Sequence, residues 1–200
     1  MKIVAVATVL AASFLALPSW AAGNLEDGEE IAYSCLGCHG IEGYRNMYPS
    51  FRVPKLGGQK AAYLEVALKG YRDGTRSHPT MIAQAESLSD QDITDVAAYL
   101  ATLGAETVEA GGSDAPQFEK AATCAACHGQ NGIGASPVWP TLAGQHEDYL
   151  VHALNQYRDG TRKDAVMAPM AAPLTDEDVV VLARYFAALE GLQTTLPESE

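Results

Sequence analysis

Apolar residues along the chain recur at helical spacing, and no stretch alternates as a β-strand does. A run of aromatic and aliphatic positions predicts a helix over 61–69, with Gly70 as its expected stop. A similar run predicts a helix over 147–157 that is closed by Gly160. The pattern therefore indicates an all-α fold.

Two more helices are predicted by capping boxes, in which a Ser or Thr and an Asp three residues later satisfy each other's backbone N–H groups. These boxes are Ser89-x-x-Asp92 and Thr175-x-x-Asp178, and they open predicted helices over 90–103 and 176–189. Each half of the chain begins with a shorter predicted helix, over 26–34 and 116–123. The helices come in equivalent pairs, which indicates an internal repeat.

Four sequence blocks recur in the same order and divide the chain into two copies of one module. The block C-L-G-C-H-G recurs 89 residues later as C-A-A-C-H-G. The blocks P-K-L-G-G-Q, Y-R-D-G-T-R and L-S-D-Q-D each recur, with small changes, 86 residues later. The difference of three residues places an insertion between the first two blocks of the first copy. We expect a first domain over 22–104, a linker over 105–115 and a second domain over 116–200.

The first residues are typical of an export signal. Lys2 precedes an uncharged apolar run, Ile3 to Leu17, which is shorter than a membrane-spanning helix. Pro18 breaks the run, and small residues up to Ala21 form a cleavage-like site. The sequence therefore predicts a signal peptide over 1–21 and a periplasmic location. An uncleaved membrane anchor is the alternative.

Composition and charge exclude some classes of function. The 200 residues carry 13 Lys and Arg against 25 Asp and Glu, a net charge of −12, which disfavours a nucleic-acid partner because its phosphates would be repelled. Four cysteines are too few for a disulfide scaffold. Apolar residues are sparse for modules of this size, so each core needs a large apolar group to fill it.

Both modules carry C-x-x-C-H, the attachment sequence of c-type haem. Within one helical turn, two thiols bind the vinyl groups of the porphyrin and the adjacent histidine is the proximal iron ligand. These residues are Cys35, Cys38 and His39 in the first copy and Cys124, Cys127 and His128 in the second. A redox-active cysteine pair and a structural zinc site are the alternatives.

The second axial ligand is predicted to be a methionine in both modules. Met81 and Met167 occupy equivalent positions, each seven residues before the leucine of the capping block. A thioether is a soft ligand that favours ferrous iron and raises the reduction potential. The rival ligands are Met170 and His78, but neither has a residue of the same type at the equivalent position of the other module.

Two repeated residue types are expected to support the haem groups. Pro54 and Pro140 open the P-x-L-x-G-Q block, and their carbonyl groups are predicted acceptors for the second N–H of the proximal imidazoles. A simple turn is the alternative for these prolines. Four arginines are predicted either to pair with haem propionates or to lie solvated at the surface. They are Arg72, Arg76, Arg158 and Arg162.

Charge is distributed unevenly between the two halves. Residues 22–104 have a net charge of −4 and residues 105–200 a net charge of −9. Basic residues cluster in the first half at Arg45, Arg52, Lys55 and Lys60. We hypothesise that the first domain docks an acidic partner and the second a basic one, with a generic acidic surface as the alternative.

The mature chain resembles the two-haem cytochrome c4 type of the class I cytochrome c family. The resemblance rests on both C-x-x-C-H-G blocks, both P-x-L-x-G-Q blocks, the Y-R-D-G-x-R segments and the paired methionines. It implies two tandem cytochrome c domains, each a small helical wrap around one covalently bound haem c. The segment 44–52, Y-R-N-M-Y-P-S-F-R, departs from the family pattern.

The resemblance also implies the function. It implies a periplasmic electron carrier, soluble or loosely associated with the membrane, that passes single electrons between respiratory complexes and delivers them to a terminal oxidase. One alternative is a di-haem subunit bound permanently to a dehydrogenase or oxidase. Another is a di-haem peroxidase-like enzyme, which needs an iron with an open position, and the paired methionines disfavour it.

Overall fold

A computed structural model describes residues 23–110 and 118–194, and the predicted signal peptide lies outside them. In the first half, the helices are α1 (Leu25–His39), α2 (Ala61–Arg72), α3 (Pro79–Glu86), α4 (Asp90–Thr102) and α5 (Ala105–Ala110). In the second half, a 3-10 turn (Glu119–Ala121) leads into α6 (Ala122–His128), followed by α7 (Glu147–Asp159), α8 (Met167–Ala171) and α9 (Asp176–Ala187). The two halves thus repeat one helical arrangement.

The core of the first domain lies between α1, α2 and α4. Its buried side chains are Ala32, Leu64, Val96, Ala97 and Leu100. α1 approaches α4 at Gly28, where a Cβ atom would lie 2.2 Å from the backbone oxygen of Asp95, so only glycine fits. The end of α1 packs on the same core through Cys35 and Leu36, which places the attachment motif against it.

The second domain has an equivalent core between the 3-10 turn, α7 and α9. Its buried side chains are Ala121, Leu150, Leu182, Ala183 and Phe186. Cys124 of the second attachment motif packs against this core, as Cys35 does in the first domain. Both motifs therefore sit at the edge of an apolar core.

Both predicted capping boxes are confirmed. Ser89 Oγ accepts the N–H of Asp92 at 3.1 Å, and Asp92 Oδ2 accepts the N–H of Ser89 at 2.8 Å. Thr175 and Asp178 make the same pair of bonds, both at 3.1 Å. α4 and α9 begin where the sequence predicted because these side chains satisfy N–H groups of the first turn.

Removal of either cap is expected to destabilise its domain. Ser89→Ala and Thr175→Ala each leave an N–H of the first helical turn without its acceptor, and we expect each to lower the free energy of unfolding by about 1 kcal/mol. Denaturant titration of the holoprotein measures this loss. The control is Ser77→Ala, which changes an exposed side chain. Its free energy of unfolding should stay within about 0.5 kcal/mol of that of the parent. Cap variants as stable as the control would contradict the prediction.

Helices α1 and α2 extend beyond their predicted ends, and so does α6, which runs to His128 although its predicted helix covers 116–123. α1 continues past residue 34 and includes the whole attachment motif. α2 runs through Gly70 to Arg72. The chain folds back against Gly70, where a Cβ atom would lie 3.0 Å from Thr75 Oγ1. Gly70 is therefore a close-packing position, and the prediction that it stops the helix is wrong.

The predicted linker begins with a helix rather than an irregular segment. α5 covers 105–110, and its Val108 is buried. Val108 packs on Gly58, where a Cβ atom would lie 2.4 Å from Val108 Cγ2. Val108 is the one large apolar residue in the sequence of this short helix, so no apolar period marks it. Residues 111–117 lie outside the described part of the chain.

Strand pairing is minimal in the residues that the structure describes. It consists of two isolated antiparallel bridges, Arg45 with Arg52 and Gly57 with Gln193. The first bridge closes a loop formed by the inserted segment 44–52, and the second joins the two halves of the chain. None of the helices in 23–110 or 118–194 has the length and hydropathy needed to cross a membrane.

The two domains contact each other through a reciprocal pair of buried glutamines. Gln59 donates from Nε2 to the carbonyl oxygen of Thr141 at 3.0 Å and accepts the N–H of Thr141 at 2.9 Å. Gln145, the equivalent residue, makes the same two bonds with Lys55 at 3.0 and 2.9 Å. Because the same contact is made twice in opposite directions, the interface has approximate twofold symmetry.

Candidate haem sites

The last turn of α1 carries the first attachment motif, and its histidine is held in one orientation. His39 is buried, and its Nδ1 lies 2.7 Å from the carbonyl oxygen of Pro54. A carbonyl only accepts, so Nδ1 carries the proton and Nε2 carries the lone pair, which is the tautomer that an iron-ligating imidazole needs. Burial lowers the pKa of His39, which keeps the ring neutral as a metal ligand must be.

The second motif has the same arrangement at the end of α6. His128 is buried, and its Nδ1 lies 2.9 Å from the carbonyl oxygen of Pro140. Burial lowers the pKa of His128 as well. The structure therefore brings each histidine of the attachment motifs to the proline that opens the following P-x-L-x-G-Q block.

A cavity of about 380 Å³ opens beside the first motif. Cys35, Cys38, His39 and Met81 all line it, although Met81 lies on α3, far along the chain. The rest of the wall is largely apolar and includes side chains of α2, of α4 and of the turn between α3 and α4. Among these are Leu64, Leu68, Leu88, Val96 and Leu100. The predicted thiols, imidazole and thioether of the first domain thus meet at one apolar space.

None of the four cysteines forms a disulfide, so each sulfur is available for a thioether bond to haem. Burial raises the pKa of Cys35 and of Cys124. In 23–110 and 118–194, no cluster of three or more His, Cys, Asp or Glu side chains has the arrangement of a metal site. The ligand set of a structural zinc site is therefore absent from the described residues.

The two predicted methionine ligands occupy matching places in the chain. Met81 is the third residue of α3, and Met167 is the first of α8. Both are half-buried, whereas the rival Met170 is exposed. Met47, at the tip of the inserted loop, is almost fully exposed.

Two of the four repeated arginines bind residues at the starts of helices α4 and α9. Arg72 donates from Nη1 to the carbonyl oxygen of Leu88 at 3.1 Å, and it pairs with Asp90 at the start of α4. Arg158 makes the equivalent bond to Leu174 at 3.0 Å and pairs with Asp176. The prediction that these two pair with haem propionates is therefore not supported, because their guanidinium groups already have partners.

The other two arginines are buried between the domains. Arg76 donates to Tyr71 and Tyr149 hydroxyls at 3.2 Å, and Arg162 donates to the Tyr63 hydroxyl at 3.0 Å. Each guanidinium also lies over a tyrosine ring of its own domain, with 4.5 and 4.4 Å to the centroids. Burial alone raises the pKa of Tyr63, but the charges of Arg162 and Arg76 outweigh it and bring this pKa to about 8.

The buried arginines Arg76 and Arg162 show whether the site fits a haem group. Neither Arg76 nor Arg162 has a carboxylate partner in the described part of the chain, and Arg76 Nε is buried without any partner. Buried cations require anions. Arg76 also lines the cavity beside the attachment motif, so the carboxylates of a haem seated there would supply the missing anion. The site fits the group.

Most of the basic cluster of the first domain makes contacts with the second domain. Arg45 and Arg52 both pair with Asp148 of α7, at 3.0 and 3.2 Å. Lys60 donates to the carbonyl oxygens of Gly134 and Ser136. Three of the four basic residues behind the docking hypothesis therefore make contacts with the second domain, while Arg45 and Arg52 share one carboxylate and keep 48% and 39% of their side chains exposed.

Asp148 is expected to contribute to the stability of the interface. Burial raises its pKa, but the backbone N–H of Arg52 and the charges of Arg52 and Arg45 outweigh burial, and the net pKa is lowered. The contribution is therefore present above the unfolded pKa of Asp and is lost as pH falls through the lower folded pKa.

Asp148→Asn is expected to cost at most about 1 kcal/mol at neutral pH, because the pair is partly solvated. Denaturant titrations at neutral and acidic pH measure this, and the difference between variant and parent should shrink in acid. The matched control is Glu147→Gln, which removes a more exposed pair with Arg184 inside the second domain. An unchanged difference at both pH values would contradict the expectation.

Several site residues were missed by the sequence patterns. The interdomain tyrosines and the glutamines of the P-x-L-x-G-Q block were visible as repeats, but their spacing gave no sign of the face they occupy. Tyr63 and Tyr149 lie 86 residues apart, the offset of the repeat. Gln59 and Gln145 share the same offset, so repetition of an identical residue is the signal that marks both pairs.

Two helical domains, each with an attachment motif whose histidine is oriented by a proline carbonyl, define a c-type cytochrome. The Cytochrome c family profile matches residues 25–104 and 115–190. Cytochrome c4 of Pseudomonas aeruginosa is 33% identical over 187 residues, which cover 84% of this chain and 90% of that protein. The solved structure of reduced cytochrome c4 from Pseudomonas stutzeri is 31% identical with a TM-score of 0.67, covering 84% of this chain and all of that one.

The chain belongs to the cytochrome c family and is of its two-domain cytochrome c4 type. It carries two covalently bound haem c groups, one for each C-x-x-C-H motif, and it is an electron-transfer protein rather than an enzyme. A second relative, the thiosulfate dehydrogenase electron acceptor of Stutzerimonas stutzeri, is 36% identical and covers 78% of this chain and 79% of that protein. The expected fold class and cofactor are confirmed.

Proposed function

We propose that the protein is a periplasmic electron carrier with domains over 22–104 and 116–200, each holding one haem between a histidine and a methionine. The iron ligands are His39 with Met81 and His128 with Met167. The observation that carries the proposal is the cavity of the first domain, which His39 and Met81 share although 42 residues separate them. Because His128 and Met167 occupy the equivalent positions of the repeat, we assign them as the iron ligands of the second domain.

The residues of the chain account for the conditions that electron transfer needs. Haem iron supplies, when bound, a one-electron ferric–ferrous couple. Cys35, Cys38, Cys124 and Cys127 hold the porphyrin through thioether bonds. The carbonyls of Pro54 and Pro140 fix the imidazoles, and the apolar walls exclude water. Two protein ligands on each iron leave no position for a substrate, which is consistent with a carrier.

A haem stain and optical spectra of the purified protein test the ligand assignment. We expect two haems per chain, a low-spin spectrum in both oxidation states, and the weak far-red absorption of a methionine–ferric bond. A high-spin component equal to one haem would contradict the proposal, since it would mean that one iron lacks a second protein ligand.

We propose a terminal oxidase as the electron acceptor and the periplasm as the location, which the predicted signal peptide supports. Cell fractionation tests the location, and the rate of oxidation of the reduced protein by oxidase-containing membranes tests the acceptor. Recovery of the chain in the cytoplasm, or membranes that leave it reduced, would contradict these two parts separately.

A bound electron-accepting subunit is the second candidate. It is favoured by the relative named thiosulfate dehydrogenase electron acceptor and by the solved thiosulfate dehydrogenase of Marichromatium purpuratum, which is 31% identical with a TM-score of 0.67. This chain covers 40% of that chain. Size-exclusion chromatography of the native periplasmic extract separates the candidates: a carrier elutes near its own mass, and a subunit elutes with its enzyme.

A further inference from the structure

The segments that lead to the two methionines contain an unexplained pair of residues. His78 and Asp164 lie three residues before Met81 and Met167 and are 86 residues apart, the offset of the repeat. One is an imidazole and the other a carboxylate, so the repeat has not kept the residue type. Both nevertheless make the same contact.

Each of these side chains accepts the backbone N–H of its methionine. His78 Nδ1 accepts the N–H of Met81 at 3.3 Å, and His78 is the N-cap of α3. Asp164 Oδ1 accepts the N–H of Met167 at 2.7 Å and that of Val166 at 2.9 Å. Imidazole and carboxylate share one property here, which is an acceptor atom within reach of the methionine backbone.

Hydrogen bonds between the two domains fix the backbone next to these acceptor residues. The N–H of Lys163 donates to the carbonyl oxygen of Thr75 at 2.8 Å, and Gln156 Nε2 donates to the carbonyl oxygen of Ser77 at 3.4 Å. These bonds therefore connect the segment before His78 to the second domain and restrict its movement. The His78 ring also lies edge-on to Phe51, with 6.3 Å between ring centroids.

The methionine helices need such an anchor because they are short. α3 has eight residues and α8 has five, and each methionine lies in the first turn, where no helical carbonyl accepts the N–H. Without the side-chain acceptor, the first turn frays and the thioether moves with it.

We propose that His78 and Asp164 are positioning residues that hold the Met81 and Met167 thioethers against the two irons. The proposal rests on the proposed function, in which these methionines are the distal ligands. Asparagine should replace either residue, because its amide oxygen accepts an N–H as a carboxylate oxygen does, whereas alanine should not.

The experiment compares alanine and asparagine variants by two readouts, the far-red absorption of the ferric protein and the two midpoint potentials. We expect His78→Ala to lose about half of the far-red absorption and to lower one midpoint, with the other haem as an internal reference. His78→Asn should restore both. Asp164→Ala and Asp164→Asn should act in the same way on the other haem. The matched control is Ser77→Ala, which removes an exposed hydroxyl beside His78.

The outcomes separate the proposal from its rivals. Full absorption and unchanged midpoints in both alanine variants would overturn it. Equal losses in His78→Ala and His78→Asn would also overturn it, because they would mean that the imidazole itself is needed, as a ligand. If an alanine variant binds no haem, the asparagine variant alone tests the proposal. Its far-red absorption and both midpoint potentials must then equal those of the parent. Unchanged far-red absorption in Met81→Ala would instead reject the ligand assignment.

Discussion

Met81→Ala will lower the midpoint potential of the first haem and leave that of the second nearly unchanged, and Met167→Ala will do the reverse. A thioether favours ferrous iron, so its loss stabilises the ferric state. We expect a fall of more than about 59 mV, the change that corresponds to a tenfold shift in a one-electron equilibrium. Potentiometric titration of each variant, followed by visible absorption, measures both midpoints.

Two other methionines serve as controls for this prediction. Met170→Ala removes the rival thioether in the second domain, and Met47→Ala removes an exposed one at the tip of the inserted loop. Both variants should keep the parent midpoints. A large fall in Met170→Ala together with an unchanged Met167→Ala would transfer the ligand assignment to Met170.

Replacing Cys35 and Cys38 together by serine will leave one haem per chain and unfold much of the first domain. Serine cannot form the thioether bonds, so the haem is no longer retained covalently. Leu64, Val96 and Leu100 belong both to the core and to the cavity wall, so an empty cavity exposes core side chains to water. A haem stain, the absorbance per chain and circular dichroism measure these changes.

The equivalent double variant, Cys124→Ser with Cys127→Ser, is the matched comparison. It should retain the first haem and affect the second domain, whose core includes contacts to Cys124. Two haems per chain in either variant would contradict the assignment of the attachment sites. A first domain that stays folded without its haem would contradict the role of the group in the core.

Local patterns determined much of this protein in advance. The capping boxes placed the starts of α4 and α9 correctly, because a cap depends on residues three positions apart. The attachment motifs and the repeat predicted two haems and two domains, since thiol chemistry needs a fixed local spacing. These features require no knowledge of what lies far away in the chain.

Contacts between distant residues decided the rest. Four arginines share one repeated block, yet Arg72 and Arg158 hold helix starts while Arg76 and Arg162 are buried cations between the domains. The basic cluster near the insertion became part of the interface because Asp148 faces it, 96 residues after Arg52. Burial and partners of a charged side chain are set by which surfaces meet, and helical periodicity carries no information about that.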